Sequence, residues 1–252
     1  MTPLFSIITV TYNAEETIAR TIESVRGQSF KEYEHIIIDG ASTDRTLQIV
    51  ESMPDPNRRV FSEPDNGIYD AMNKGLVLSR GEYLIFLNAG DCLHEDSTLG
   101  VISEAIYDTD YPGLVYGNTM IVDNDGNQLG LRHLTPPYNL TLADYARGML
   151  VCHQAFVVNK KVTGFYNTDY RFSADYDWCI RCLQHSRDNI GLPGLIFVDY
   201  LNEGTTTRNH FASLRERFRI MCIYYGTIPT LFRHVGFAFR WLFRRKKRIN
   251  CQ

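Results

Sequence analysis

Four times in the first ninety residues a short apolar run stops at a polar turn, and after the first three of these turns an apolar periodicity of helical spacing begins. This alternation constrains the fold more than any other feature of the chain. Residues 5–11 form a β-branched apolar run too short for a buried helix. Asn13 follows as a cap, and then Ile18, Ile22 and Val25 recur at helical spacing. The unit repeats. Residues 35–38 read as a strand, residues 39–44 as a turn rich in capping side chains, and Leu47, Ile49 and Val50 as a helix stopped by Pro54. Residues 60–62 predict a third strand, Ile68, Met72 and Leu76 a third helix, and residues 83–87 a fourth strand. Strands alternating with helices predict an α/β fold, a mostly parallel sheet with helices on both faces.

In such a sheet ligands bind beyond the carboxyl ends of the strands. The turns at those ends are Thr11-Tyr12-Asn13, residues 39–44, residues 63–67 and Asn88-Ala89-Gly90-Asp91. Asp, Asn and Ser in any single turn are accounted for by helix capping. Four polar, acidic turns gathered on one edge point further, because clustered carboxylates repel unless a cation or hydrogen-bond donors lie between them.

Beyond residue 110 the pattern changes. Residues 114–117 and 120–122, the Asn124-Asp-Gly126 step and residues 129–131 predict a hairpin. Residues 152–158 predict a strand, residues 176–184 a helix with Trp178, Ile180 and Leu183 inward, and residues 195–200 a late strand. This half reads as an antiparallel extension of the same sheet.

Charge is distributed unevenly. The chain carries 26 Lys and Arg against 29 Asp and Glu, a net charge of −3, which excludes a uniformly basic nucleic-acid binder. Eleven of the basic residues and one acid, Glu216, lie from residue 208 onward, leaving that tail at +10 and the remainder at −13. Such segregation predicts two surfaces with different partners. Six cysteines without framework spacing, in a chain of 252 residues, point to reduced thiols and a cytoplasmic setting. The Cys179-Ile-Arg-Cys182 pair falls inside a predicted helix and reads as structural rather than redox or metal-binding. The N-terminus has no basic segment before its apolar run, so it is not expected to be a signal peptide, and no apolar run reaches 18 residues.

Neither a Walker loop nor a G-x-G-x-x-G turn occurs. The chain instead resembles the family 2 glycosyltransferases of GT-A fold. The resemblance is carried by Ser6-Ile-Ile-Thr-Val-Thr-Tyr-Asn13, Ile38-Asp-Gly-Ala-Ser-Thr-Asp44, Ser62-Glu-Pro-Asp-Asn-Gly-Ile-Tyr-Asp-Ala-Met-Asn-Lys-Gly75, Gly81-Glu-Tyr-Leu-Ile-Phe-Leu-Asn-Ala-Gly-Asp91 and Ser173-Ala-Asp-Tyr-Asp177. These stretches span roughly residues 4–185 in the family's order. The run from Asp65 to Lys74 resembles the sub-group that works on bacterial envelope and exported polysaccharides.

The resemblance implies roles for particular residues. Thr11, Tyr12, Asn13 and Asp39 would cradle the nucleotide, since a carboxylate accepts from a base N–H and an aromatic face stacks on a base. Asp65, Asp70, Asn73 and Lys74 would face the donor, with Lys74 balancing diphosphate charge. Asn88, Ala89 and Asp91 stand where the family carries its D-x-D metal motif, and a Mg²⁺ or Mn²⁺ ion there would bridge carboxylate and diphosphate. The motif departs from the family in Asn88 and Gly90, which leaves Asp91 as its one carboxylate, with His153 or His210 as possible further ligands. Asp175 falls on the family's general base, the group that takes the acceptor hydroxyl's proton. Ala174 replaces the preceding Glu, which keeps Asp177 as a second candidate. Attack opposite the leaving group implies inversion at the sugar carbon.

These implications assemble into an expected enzyme: a catalytic domain over 1–207 and a basic amphipathic helical tail over 208–252. It would move a hexosyl or N-acetylhexosaminyl group from a nucleoside diphosphate-sugar to a saccharide or lipid-linked saccharide. In the tail, Phe211, Leu214, Phe218, Met221 and Tyr225 at helical spacing, then apolar and aromatic residues ending in Arg244-Arg-Lys-Lys-Arg248, suit a helix at an anionic membrane surface. Each basic residue there is worth about 1 kcal/mol. The expected location is therefore cytoplasmic, peripheral on the inner face of the cell membrane, with no nucleic-acid partner. Two other classes remain compatible with the residues, a nucleotidyltransferase on a related fold and a non-catalytic nucleotide-sugar or carbohydrate binding module.

Overall fold

A computed structural model describes residues 2–202 and 210–236. Along the chain come β1 (Phe5–Thr11), α1 (Ile18–Arg26), β2 (Tyr33–Asp39), α2 (Thr46–Ser52), β3 (Arg58–Ser62), α3 (Ile68–Leu78) and β4 (Tyr83–Phe86). Then follow β5 (Cys92–Leu93), α4 (Thr98–Asp108), β6 (Leu114–Val122), β7 (Gln128–Leu131), α5 (Leu142–Tyr145), β8 (Phe156–Asn159), α6 (Ala174–His185), β9 (Asn189–Leu201) and α7 (His210–Tyr225). Residues 227–236 are again helical.

Every residue of β1 and β2 is buried, as their unbroken apolar runs require of strands covered on both faces. They lie second and third in a sheet of nine strands in the order β3-β2-β1-β4-β8-β6-β9-β5, with β7 paired to β6 outside that path. The strands β3, β2, β1 and β4 are mutually parallel. Strand β8 joins antiparallel to β4 and to β6, and β5 antiparallel to β9, whereas β9 runs parallel to β6. The result is the expected α/β architecture, a mostly parallel sheet with an antiparallel extension, flanked by helices.

One aromatic chain fastens α3 and α6 to this sheet. Tyr69 stacks on Tyr166, Tyr166 stacks on Trp178 with centroids 4.8 Å apart, and Phe86 meets both Tyr166 and Trp178 edge-on. Trp178 is fully buried. Deleting an aromatic of this size from a core costs about 3–5 kcal/mol.

Three elements differ from the sequence reading. Residues 114–122 form one strand rather than two, because Gly117 does not interrupt it. Its missing Cβ leaves room for the Phe197 ring, whose nearest carbon would lie 2.5 Å from a Cβ placed there. Strand β9 begins six residues earlier than expected and absorbs Pro193-Gly194 in a register shift opposite Gly117 and Asn118, as bulges allow. Residues 153–155, read as strand, form a 3₁₀ turn before β8, and this turn presents His153 and Gln154 to the cleft described below.

The tail is only partly described, and the expected boundary at residue 207 and the terminal basic cluster lie outside the described residues. Helix α7 packs through Ser213, Ile220 and Met221, all buried, while Phe211 and Leu214 point outward. Its apolar spacing therefore does not form one buried face.

Candidate active site

Strand register brings the polar turns to one edge. Thr11 pairs with Asp39 and Asp39 with Ser62, so β1, β2 and β3 end level. The Ala89 amide donates to the Val10 carbonyl at 3.2 Å, setting the 88–91 turn beside the end of β1. Strands β2 and β3 lie to one side of β1 and β4 to the other, and at such a reversal of strand order an open sheet forms a crevice. A cleft of about 1240 Å³ opens there.

Thr11, Tyr12, Asp65, Asp70, Asn88, Ala89, Asp91 and Asp175 all line it. Tyr12 is largely exposed, its ring open for stacking, and the Thr11 hydroxyl is buried without a partner among the described residues. Asp65 and Asp70 are held by their own turn, accepting from the Gly67 and Asn66 amides at 2.8 and 2.9 Å.

Five other candidates are not among the residues that line the cleft. Asn13, with φ +48°, accepts from the Thr43 amide and donates its own amide to the Ser42 hydroxyl, so it latches the first turn to the second. Asp39 is fully buried and accepts from the Ser42 amide at 2.9 Å and from the Ser42 and Ser62 hydroxyls. A Cβ on the adjacent Gly40 would lie 2.6 Å from the Asp65 carboxylate and 3.4 Å from the Tyr12 ring, so Asp39 supports the turn these two residues flank. Asn73 exchanges two hydrogen bonds with the Tyr166 backbone, and Lys74 pairs with Glu63 at 2.9 Å. Asp177 faces Arg181 and Tyr224, at 2.8 Å each. It is not among the residues that line the cleft.

Gly90 and Ala174, two of the three departures from the motif, fit their surroundings. Gly90 sits at φ +102°, and a Cβ there would lie 2.7 Å from Leu201, so an acidic side chain would be strained and obstructed. Ala174 is fully buried, which leaves no solvent for a carboxylate.

The two cleft carboxylates at the sheet end and on α6 differ in environment. Asp91 accepts from Gln154 Nε2 at 2.8 Å and from the Leu201 amide at 3.0 Å. Burial nevertheless pushes its carboxyl up to about 7, outweighing these bonds and the Arg20 charge. Asp175 Oδ1 accepts from the Tyr69 hydroxyl at 3.1 Å and from the Tyr176 amide at 2.9 Å. Its Oδ2 lies 3.7 Å from His153 Nδ1. Burial holds that imidazole below its ordinary value despite the pull of Asp175.

Residues 6–164 match the sequence profile described as "Glycosyl transferase family 2". The chain belongs to glycosyltransferase family 2. A "PGL/p-HBAD biosynthesis glycosyltransferase" of Mycobacterium bovis is 31% identical over 218 residues, covering 84% of this chain and 79% of that protein. Among solved structures, Staphylococcus aureus TarS 1-349 with UDP-GlcNAc superposes with a TM-score of 0.70 at 20% identity. The mannosyltransferase PcManGT from Pyrobaculum calidifontis, with GDP-Man and Mn²⁺, does so with a TM-score of 0.64 at 18% identity. Each superposition covers 87% of this family 2 chain, which spans 65% and 64% of the respective structures, and both show its fold to be GT-A.

A divalent cation is the cofactor common to GT-A transferases, and the donor set of the cleft suits one. Asn88 Oδ1 and His153 Nε2 are buried without partners among the described residues, and each Asp91 oxygen keeps a lone pair beyond the one hydrogen bond it accepts. All three residues line the same cleft. Among the described residues no group of three or more His, Cys, Asp and Glu is placed to hold an ion unaided. A cation here would complete its shell with diphosphate oxygens and water, as Mg²⁺ ordinarily does.

Sequence reading overlooked Tyr69, Gln154, Arg132, Arg171 and Arg217, which also line the cleft or hold its carboxylates. Tyr69 lies inside the motif of residues 62–75, but helical periodicity alone does not say that its hydroxyl reaches α6. The thiols of Cys179 and Cys182 are buried in α6, and burial raises both, that of Cys182 to about 12, which fits packing rather than redox work.

Proposed function

We propose that this chain is an inverting transferase. It moves a hexosyl or N-acetylhexosaminyl group from a nucleoside diphosphate-sugar to a hydroxyl of a saccharide or lipid-linked saccharide in envelope polysaccharide synthesis. The observation that carries the reading is that Asp91 and Asp175, 84 residues apart in sequence, line one cleft with the exposed Tyr12 ring and the unpartnered Thr11 hydroxyl.

In this reading the base stacks on Tyr12, and Asp39 fixes the turn behind it. Asn88, Asp91 and His153 would hold the cation, which when bound offsets the charge gained by the departing diphosphate. Asp175 Oδ1 is occupied by Tyr69 and the Tyr176 amide, which leaves Oδ2 to accept the proton of the acceptor hydroxyl as its oxygen attacks the anomeric carbon. An imidazolium beside Oδ2 would hold it in an ion pair and weaken it as a base, which a neutral His153 does not do. Departure of the nucleoside diphosphate from the opposite face gives inversion.

The tail supports a membrane-surface setting. Phe211, Leu214, Ile223, Ile228, Leu231, Phe232 and Val235 are all exposed and lie within 25 residues, interspersed with Arg215, Arg219 and Arg233. No described helix is long and apolar enough to cross a membrane. Apolar side chains among arginines suit the interface of an anionic leaflet. Wild-type protein is expected to sediment with vesicles containing anionic lipid and a chain ending at residue 226 to remain in solution. Equal sedimentation of the two would refute the membrane role.

The transferase reading is tested by release of nucleoside diphosphate from UDP-, GDP- and dTDP-sugars with and without saccharide acceptors. Release stimulated by acceptor is the expected result. Pyrophosphate exchange would indicate a nucleotidyltransferase, and binding without turnover a binding module.

A further inference from the structure

Two basic residues meet where helix α7 docks against the loop before α6. The Glu216 carboxylate accepts from the Arg171 and Phe172 amides at 2.9 and 2.8 Å, and the Ser173 and Ser213 hydroxyls lie 3.1 Å apart. This joint therefore brings together Arg171, bonded to Glu216 through its amide, and Arg217, the residue after Glu216. Both line the cleft. The joint ends at Ser173, two residues before Asp175, so α7 is placed relative to the group assigned as the base.

Neither arginine is spent on the protein's own acids. Among the described residues no ion pair includes either one. Arg171 is exposed, its guanidinium 5.7 Å over the Phe172 ring, whereas Arg217 Nε is buried without a partner among the described residues. Arg132, the third arginine of the lining, instead spends Nη1 on the carbonyls of Leu134, Met149 and Leu150. A buried, unsatisfied donor on an always-charged group costs free energy unless a ligand satisfies it. The charges of Arg217 and Asp175 both act on Tyr69, which puts Arg217 at the end of the cleft where the acceptor hydroxyl meets its base. The nucleoside diphosphate departs on the far side of the reacting carbon, so the ligand within reach of Arg217 is the acceptor. A planar guanidinium with a free edge suits the paired oxygens of a phosphate or a carboxylate.

We propose that Arg217 binds an oxyanion group carried by the acceptor, which makes α7 a wall of the acceptor site and selects acidic acceptors over neutral ones. This inference rests on the transferase reading above and narrows its substrate class. The group is the phosphate of a lipid linkage or the carboxylate of an acidic sugar, since each offers the guanidinium the same pair of oxygens. Arg171 adds a second, solvent-facing positive charge to the approach.

Calorimetric titration of the full chain, saturated with whichever of UDP, GDP and dTDP it binds, tests the inference with probes sharing one short alkyl tail. The probes are hexyl glucoside, hexyl glucuronide and glucose joined to hexanol through a diphosphate. Wild type should bind an acidic probe about tenfold or more tightly than hexyl glucoside, and the tighter of the two acidic probes identifies the source of the charge. Arg217→Gln should weaken that probe about 10- to 100-fold, the loss expected for a charge-assisted pair, and should not weaken hexyl glucoside. Arg217→Lys should recover part of the difference, with thermal melts of both variants as the check on folding. No preference of wild type for the acidic probes, or equal loss of acidic and neutral probes in Arg217→Gln, would overturn the assignment. So would lost nucleoside diphosphate affinity in Arg217→Gln, which would put the arginine on the donor. Wild-type protein that binds none of the three nucleoside diphosphates would instead sink the transferase reading itself.

Discussion

The two walls of the cleft are built differently. On the wall formed by the turns after β2 and β3, carboxylates are satisfied by neighbours within a few residues, Asp65 by Gly67 and Asp70 by Asn66. Asp39 follows the same pattern through Ser42, with one further bond from Ser62 on the adjacent strand. Asp91, in the turn after β4, is instead held by Gln154 and Leu201, 63 and 110 residues away, and on the opposite wall Asp175 is oriented by Tyr69, 106 residues away, together with the adjacent Tyr176 amide. A locally satisfied turn is organised as soon as its strand is in place. The groups assigned to chemistry instead depend on the whole sheet and on α6 being assembled, so their geometry should be sensitive to distant changes that leave the nucleotide turns intact.

Asp175→Asn breaks this contrast most severely. It keeps the shape of the side chain and removes the base, so transfer should fall by about 10²–10⁴-fold, the usual worth of a positioned base. Tyr69→Phe sharpens the contrast. The stack on Tyr166 persists while one hydrogen bond to a carboxylate is lost, and kcat should drop about tenfold or more with the donor KM unchanged. A parallel rise in KM, or an unchanged kcat, would show that the hydroxyl does not position Asp175.

The smallest effect lies beneath the nucleotide wall, at His35. Its Nε2 meets the Thr9 hydroxyl at 2.9 Å across β1 and β2. Burial, with a smaller contribution from Arg58, lowers the imidazole from 6.5 to about 3. The folded state therefore binds this proton less readily than the unfolded chain. Below pH 6.5 the unfolded state is protonated first, and stability should fall with decreasing pH by about 1.4 kcal/mol per unit until about pH 3. Urea denaturation of wild type and His35→Gln between pH 7 and 5 should show the wild type losing more by that slope. Equal slopes would place the acid sensitivity elsewhere.

The same difference between walls explains what the sequence discloses. The parallel half was legible because β-branched runs and helical spacing are local signals, as in residues 5–11 and in Ile18, Ile22 and Val25, whereas Asn13, expected as a cap, instead latches the first turn to the second and α1 begins after Thr17. The 3₁₀ turn of His153 and Gln154 was not, because the residues around it read as continuous apolar strand and nothing nearby shows that Gln154 must reach Asp91. Pro193-Gly194 misled in the same way, a local breaker that a bulge against β6 absorbs. Arg217 was visible only as one charge in a basic segment, since its significance depends on Glu216 docking α7 against the loop before α6.

The central claim is that Asp175 serves chemistry and not donor binding within a shared cleft. Titrating Asp175→Asn with the nucleoside diphosphate that binds wild type, and assaying sugar transfer in the same preparation, tests it most directly. The account predicts wild-type affinity with transfer lowered by about 10²–10⁴-fold. Retained transfer, or affinity lost in step with transfer, would contradict it.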